Sequence, residues 1–210
     1  MSNITPAILK ETSSGFIKNT IKEEMFYRRE IECMGEITSE LAASLILQLR
    51  YLYHQSPEDE ITMYINSQGG DVSCGLAVYD MMKAVKCPIR TVCVATAASM
   101  AAVLFLSGNT REMMPHSKVM IHDPLILGTN SVSALQLDHI SHNLMETREI
   151  IGNIISLHTG HSLEEVYEKT AIDSYFNAEE SIAWGLADSI ITKMQSGNNE
   201  TIKLQNERGR

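Results

Sequence analysis

The sequence predicts an α/β fold with a largely parallel sheet. Short runs rich in β-branched and apolar residues occur at residues 61–66, 89–96 and 118–123. Segments with helical periodicity precede or separate these runs, at residues 39–54, 72–85 and 98–107. This alternation is typical of βαβ units, whose right-handed crossovers place helices on the faces of the sheet. Loops at the carboxyl ends of the strands are then the expected place for a functional site.

Composition indicates one globular domain. The chain has 210 residues, of which 44% are apolar and 20% charged. We place this domain at residues 1–194 and expect the polar, Gly- and Asn-containing stretch 195–210 to be a flexible tail. The net charge of -9 and the absence of a basic cluster argue against a nucleic-acid partner.

The chain has the features of a cytoplasmic protein that does not cross a membrane. No export signal is visible at the start of the sequence, and the longest nearly apolar run, 97–106, has about half the length that a membrane-spanning helix needs. The four cysteines form no C-x-x-C pair, so we interpret them as reduced core thiols and expect no metal site. They are Cys33, Cys74, Cys87 and Cys93.

One long helix is predicted over residues 133–159, ended by Gly160. At 1.5 Å per residue it would span about 40 Å, more than a domain of this size can cover. We therefore expect part of it to project or to pack against another subunit. The alternative is a helix that lies across its own sheet. Its histidines at 139, 142 and 158 are expected at the surface or in a subunit contact.

Ser99 lies in the small and apolar stretch "VATAASMAAVLFLSG", between a predicted strand and a helix that would begin near residue 97. Free backbone N–H groups and the positive end of a helix favour negative charge at such a turn. A nucleophilic serine with an oxyanion site is one interpretation. The alternative is an N-cap serine with no other role.

His122 and Asp173 are the candidate partners of Ser99. His122 ends the predicted strand in "KVMIHDP", where an imidazole could act as a general base or serve only as a structural histidine. Asp173 lies in a loop between the capping boxes that begin at Ser162 and Asn177. Its carboxylate could orient the imidazole, or it could be a solvated turn residue.

The stretch "INSQGGDV" brings adjacent glycines to the end of a strand, where backbone N–H groups can face a ligand without a Cβ in the way. A simple chain reversal is the alternative, and neither phosphate-loop motif is present. The order Ser, His, Asp without a G-x-S-x-G elbow excludes the α/β-hydrolase, chymotrypsin and subtilisin scaffolds.

Four blocks resemble, in order and spacing, the proteolytic subunit family of the Clp proteases (ClpP). They are "MYINSQGGDVSCGLAVYDMM", "ATAASMAAVLFLSG", "VMIHDP" and "FNAEESIAWGLAD", and the similarity extends over about residues 10–192. The resemblance implies a crotonase-like α/β fold with a long handle helix. It also implies two stacked heptameric rings around a chamber, into which an AAA+ unfoldase feeds unfolded protein.

The resemblance also implies a serine endopeptidase site. Ser99 matches the nucleophile, His122 the general base and Asp173 the orienting acid. Gly70 and Met100 match the residues whose N–H groups form the oxyanion hole. No cofactor is expected, since the partner unfoldase is the subunit that uses ATP.

Several positions differ from the usual family pattern. The family usually has Pro, Gln and Gly where this chain has Gln68, Thr96 and Ala101. An acid–arginine pair is replaced by Ala171 and Ile172, and a glycine-rich segment by "LILGTNSVSA", which includes Ile126 and Leu127. An alternative prediction is therefore a divergent paralogue of low activity, or a structural subunit, in a ring mixed with a second subunit of the same type.

A crotonase-type CoA hydratase or isomerase is the rival from another class, because such enzymes also polarise a carbonyl with two backbone amides. They generally transfer protons with carboxylates and do not need a nucleophilic serine.

Overall fold

The computed structural model describes residues 6–13, 15–126 and 133–193. Its strands are β1 Ala7–Thr12, β2 Gly15–Thr20, β3 Glu30–Met34, β4 Ile61–Ser67, β5 Ile89–Ala98, β6 Thr110–Met113, β7 Lys118–Ile121, β8 Ser174–Asn177 and β9 Ser189–Ile190. Its helices are α1 Ile21–Tyr27, α2 Ser39–Gln55, α3 Val72–Ala84, α4 Met100–Leu106, α5 Ala134–Thr159, α6 Leu163–Thr170 and α7 Ala178–Ala183.

The main sheet is mostly parallel, as predicted. Its strands are ordered β3-β4-β5-β6-β9, and β7 pairs in parallel with the last part of β5. The exception is β8, which pairs antiparallel with β7. β1 and β2 form a separate antiparallel hairpin.

The three predicted strands are confirmed, but each ends at a different residue from the predicted one, β4 by a single residue, at Ser67. Ala97 and Ala98 are not the start of a helix, because they extend β5 by pairing with Val119 and Met120 of β7. β7 itself ends at Ile121, so His122 and Asp123 follow the strand. The loop predicted around Asp173 also contains the strand β8.

α4 is buried over its whole length. All seven of its residues are apolar and at most 2% exposed, and it packs between α3, α5 and the sheet. A helix that is hydrophobic on every side is stable only when it is surrounded in this way. Its first residue, Met100, is thereby fixed in the core, and Ser99 is fixed directly before it.

α5 is the predicted long helix, with a capping box at Ser133 and a left-handed Gly160 at its end. Its buried residues lie in the second half, where it packs against α4 and α6. In the first half Leu135 is 84% exposed and Leu137 55% exposed. The helix therefore projects from the domain, and the alternative of a helix lying wholly across the sheet was wrong.

His158, in the last turn of α5, was predicted at the surface or in a subunit contact, and within this chain it is half-buried. Its Nε2 lies 3.2 Å from the hydroxyl of Tyr79. Burial lowers the pKa of His158 to about 4, with smaller contributions from the positive charges of Lys83 and Arg111. The ring is thus neutral at pH 7 and can accept a hydrogen bond from the tyrosine hydroxyl.

The four cysteines are free thiols, and three of them are buried as predicted. The exception is Cys74, which is half-buried on α3. Along the described part of the chain, no helix is both long and apolar enough to span a membrane. The predicted C-terminal tail and Leu127 lie outside the described residues.

Candidate active site

Ser99 has a backbone conformation that residues other than glycine rarely adopt. Its φ is 54° and its ψ is -124°, between the end of β5 and the start of α4. Its N–H donates to the carbonyl of Met120 at 2.9 Å, and its carbonyl accepts from Ala102. Ser99 is the N-cap residue of α4, as the alternative had it, but its side chain makes no capping hydrogen bond. The backbone holds the residue in place, and the hydroxyl is left for another partner.

That partner is His122, whose Nε2 lies 2.9 Å from the Ser99 Oγ. The Nδ1 of the same ring lies 3.2 Å from Oδ1 of Asp173. An ionised carboxylate can only accept, so Nδ1 carries the proton and Nε2 is free to accept from the serine hydroxyl. The structure thus brings the three predicted residues together in one hydrogen-bonded chain.

The sheet explains how His122 and Asp173 meet across 51 positions of sequence. β7 and β8 are antiparallel, with Ile121 opposite Ser174. One residue beyond that pair, His122, which follows β7, lies opposite Asp173, which precedes β8. The register of a short strand that was not predicted therefore brings the imidazole to the carboxylate.

His122 and Asp173 differ in their contact with water. The side chain of His122 is 15% exposed, whereas that of Asp173 is 60% exposed. Solvent screens a charge with that exposure, so the electrostatic attraction between the two side chains is weak. Their geometry depends on the surrounding structure as well as on their own hydrogen bond.

Gly70 presents a free backbone N–H beside Ser99. It forms a parallel bridge with Ile37, in which the flanking Gly69 carbonyl and Asp71 N–H make the two hydrogen bonds, at 2.8 and 2.9 Å. In such a bridge the central residue directs its own N–H to the opposite side. A Cβ on Gly70 would lie 2.4 Å from the Ile37 oxygen, which explains why a glycine is needed here.

Met100 supplies a second free N–H, because it is the first residue of α4 and has no carbonyl one turn earlier to accept from it. Neither this N–H nor that of Gly70 has an acceptor among the residues that the structure describes. Both residues line the same cavity as Ser99 and His122. Two amides beside a hydroxyl are the arrangement that stabilises an oxyanion.

The cavity has a volume of about 260 Å³. Its polar side carries Glu36 and Gln68 next to Gly70. The remaining wall is mainly apolar and is formed by Val72, Met100, Val103, Met120, Ile121, Pro124, Leu125, Ile151 and Ile155. A substrate carbonyl at Ser99 would therefore lie next to a space that accepts an apolar side chain.

The positions that differ from the family pattern are spread around this site. Gln68 lines the cavity, whereas Ala101 is fully buried in α4 and Thr96 pairs with Lys118 of β7. Ala171 caps α6, and Ile172 is 72% exposed. None of these residues interrupts the hydrogen-bonded chain from Ser99 to Asp173.

Sequence reasoning missed Asp123 beside the site, and also Arg148 and Thr170, which both donate hydrogen bonds to it. Only the position of Asp123 next to His122 could have drawn attention to it. In the described ranges, no group of three or more His, Cys, Asp or Glu side chains is placed to hold a metal ion.

A hydroxyl, an imidazole and a carboxylate in this order, with two free amides, form the constellation of the serine hydrolases. The model of the Clp protease family matches residues 13–194 of the 210-residue chain. The chain therefore belongs to the Clp protease family, which is a family of serine peptidases. Its mostly parallel sheet and long helix confirm the predicted crotonase-like α/β fold of that family.

Proposed function

We propose that this chain is a serine endopeptidase in which Ser99 is the nucleophile, His122 the general base and Asp173 the orienting acid. The observation that carries the proposal is the continuous hydrogen-bonded chain from Ser99 Oγ through both ring nitrogens of His122 to Asp173. A general base must lie within hydrogen-bond reach of the proton that it removes, and the 2.9 Å contact meets this condition.

Acyl transfer follows from this geometry. His122 Nε2 takes the hydroxyl proton while Ser99 Oγ forms a bond to the substrate's peptide carbonyl carbon. The N–H groups of Gly70 and Met100 stabilise the negative charge on the carbonyl oxygen. The imidazolium then protonates the leaving amine, the C–N bond breaks and an acyl-enzyme remains. Water, deprotonated by His122, releases the acyl group and restores the serine.

The cavity wall supports a preference for an apolar side chain next to the cleaved bond. Val103, Ile151 and Ile155 are each at most 7% exposed, so their positions are fixed by the core. Binding of an apolar side chain against them removes apolar surface from water.

Family membership and α5 support an oligomeric assembly. Clp-type proteases act as oligomers with an unfoldase, and here the projecting half of α5 exposes Leu135 and Leu137. We propose that the chain works in the cytoplasm in heptameric rings, paired as a tetradecamer. An AAA+ unfoldase would deliver unfolded polypeptides to the enclosed chamber, and no cofactor would be bound by this chain.

The decisive experiment is labelling with a fluorophosphonate, followed by mass spectrometry of each oligomeric species separated by size. We expect the label on Ser99, no label in Ser99→Ala, and strongly reduced labelling in His122→Ala. His116→Ala is the matched control, since His116 does not line the cavity. Equal labelling of His122→Ala and His116→Ala would contradict the proposed site. Absence of any label on Ser99, with CoA thioester binding, would favour the hydratase instead.

A specific observation favours a second candidate, a subunit of low intrinsic activity in a mixed ring. The exposed Asp173 makes a long 3.2 Å contact with His122, and Leu125 and Ile126, which follow the His-x-Pro turn, are each about half exposed. A homogeneous assembly would then be labelled slowly, and a second subunit of the same type would accelerate the labelling. Fast labelling of the homogeneous assembly would exclude this candidate.

A further inference from the structure

Asp123 connects the two segments that carry His122 and Asp173. Its N–H donates to the Thr170 carbonyl at 2.7 Å, and its Oδ1 accepts from the Thr170 hydroxyl at 2.5 Å. Asp123 directly follows His122, and Thr170 lies three residues before Asp173. Two hydrogen bonds between one pair of residues thus fix the distance between the segments.

Arg148 occupies the second oxygen of Asp123. Its Nε donates to Oδ2 at 2.7 Å, and the guanidinium carbon lies 3.6 Å from the centre of the Tyr167 ring. Tyr167 and Thr170 belong to the same helix, α6. The arginine therefore holds the carboxylate from α5 while it also packs on the helix that supplies the threonine.

The burial of these side chains makes the contacts effective. Thr170 is 3% exposed, and the side chains of Arg148 and Asp123 are 22% and 32% exposed. A hydrogen bond to a charged group is roughly twice as strong as one between neutral groups. By contrast, Asp173 is 60% exposed and its single contact with His122 is 3.2 Å long.

We propose that Asp123, held by Thr170 and Arg148, is a positioning residue that sets the spacing between His122 and Asp173. It touches neither the substrate nor the reacting atoms, and it acts through the backbone of the two segments. The inference rests on the proposed role of the Ser99 site. An error of about 1 Å in the position of a catalytic group can lower a rate by about 10²-fold, so the spacing has a measurable effect.

The test uses two variants, each with a matched control, in the full chain. Thr170→Val removes the hydroxyl at nearly constant volume, and Thr170→Ser retains it. Arg148→Gln removes the positive charge that pairs with the Asp123 carboxylate. Its control is Arg90→Gln, which removes a similarly half-buried arginine. Arg90 pairs with Glu112 at 2.5 Å, and neither residue lines the cavity.

The measurement is the fluorophosphonate labelling rate of Ser99 as a function of reagent concentration at fixed pH. We expect Thr170→Val and Arg148→Gln to lower the limiting rate at least fivefold while the half-saturating concentration stays the same. Thr170→Ser and Arg90→Gln should behave as the parent does.

Two negative results remain distinguishable. If the parent chain is not labelled at Ser99, the proposed function fails. If the parent is labelled and the limiting labelling rate of Thr170→Val is within fivefold of the parent rate, the positioning role is overturned while the function stands. Circular dichroism and the oligomer size are recorded for every variant. If Arg148→Gln fails to fold, the comparison of Thr170→Val with Thr170→Ser alone decides whether the positioning role holds.

Discussion

Gly70→Ala should separate the oxyanion donor from the hydrogen-bonded side chains. The new Cβ would lie 2.4 Å from the Ile37 oxygen and 2.7 Å from the Ile37 nitrogen, distances that real Cβ atoms essentially never show. The φ of Gly70, +152°, adds backbone strain for any other residue. The loop must therefore move until the 2.4 Å contact exceeds 3.0 Å. This movement displaces the N–H that faces the cavity.

The size of the effect follows from the role of that N–H. Loss of one oxyanion donor lowers the rate by about 10²- to 10³-fold. The donor acts mainly in the transition state, so kcat should fall by this factor while KM changes little. Ser99, His122 and Asp173 keep their own contacts, because none of these depends on the Gly70 side of the cavity.

The assay is hydrolysis of a short fluorogenic peptide with an apolar side chain before the cleaved bond, measured on the active assembly. Gly160→Ala is the control, since Gly160 also has a positive φ but a Cβ there meets nothing within 4 Å. Gly160→Ala should keep its kcat. The reasoning is refuted if Gly70→Ala retains more than a tenth of the parent kcat.

Three further predictions concern the free energy of unfolding, measured with urea at fixed protein concentration. Burial lowers the pKa of His158 to about 4, so between pH 6.5 and pH 4 the unfolded chain binds a proton that the folded chain does not. Acidification over that window should therefore cost the parent about 1–2 kcal/mol more than it costs His158→Gln, and equal losses would contradict this. Phe105→Ala should lower the free energy of unfolding by about 3–5 kcal/mol, because Phe105 is 0% exposed, whereas Phe16→Ala, at a 68% exposed position, should lower it little. Similar losses in the two variants would show that burial does not determine the size of the loss. Ser99→Gly should be more stable than Ser99→Ala by about 1 kcal/mol, because glycine adopts φ 54° without strain, and the reverse order would contradict a strained Ser99.

The long elements were predictable because their signals are local. β4 and β5 are runs of β-branched and apolar residues, and α5 has both its capping box at Ser133 and its terminal Gly160 in the sequence itself. The capping boxes of α6 and α7 were also confirmed. Such features depend on residues within one helical turn, so one sequence is enough to find them.

Other features depend on pairing between distant segments. β6 and β8 have four residues each and β9 has two, too few for a periodic pattern. The sequence gives no sign that Thr170 meets Asp123, 47 positions away. The end of β5 was wrong for the same reason, since only its pairing with β7 keeps Ala98 extended. The candidate site residues could be grouped before the structure because the family resemblance supplied long-range information that residue patterns lack.

Three of the described residues with a positive φ lie together at the site: Ser99, Gly69 and Gly70. Ser99 and Gly69 both have a positive φ, and a Cβ on Gly69 would lie 2.7 Å from the Cβ of Ser99. The close approach needs glycine on one side and a strained serine on the other. The Ser99 backbone is held by Met120 on one strand and by the first turn of a fully buried helix. Because the core supplies this restraint, the hydroxyl does not have to stabilise its own backbone and remains free to bond to His122.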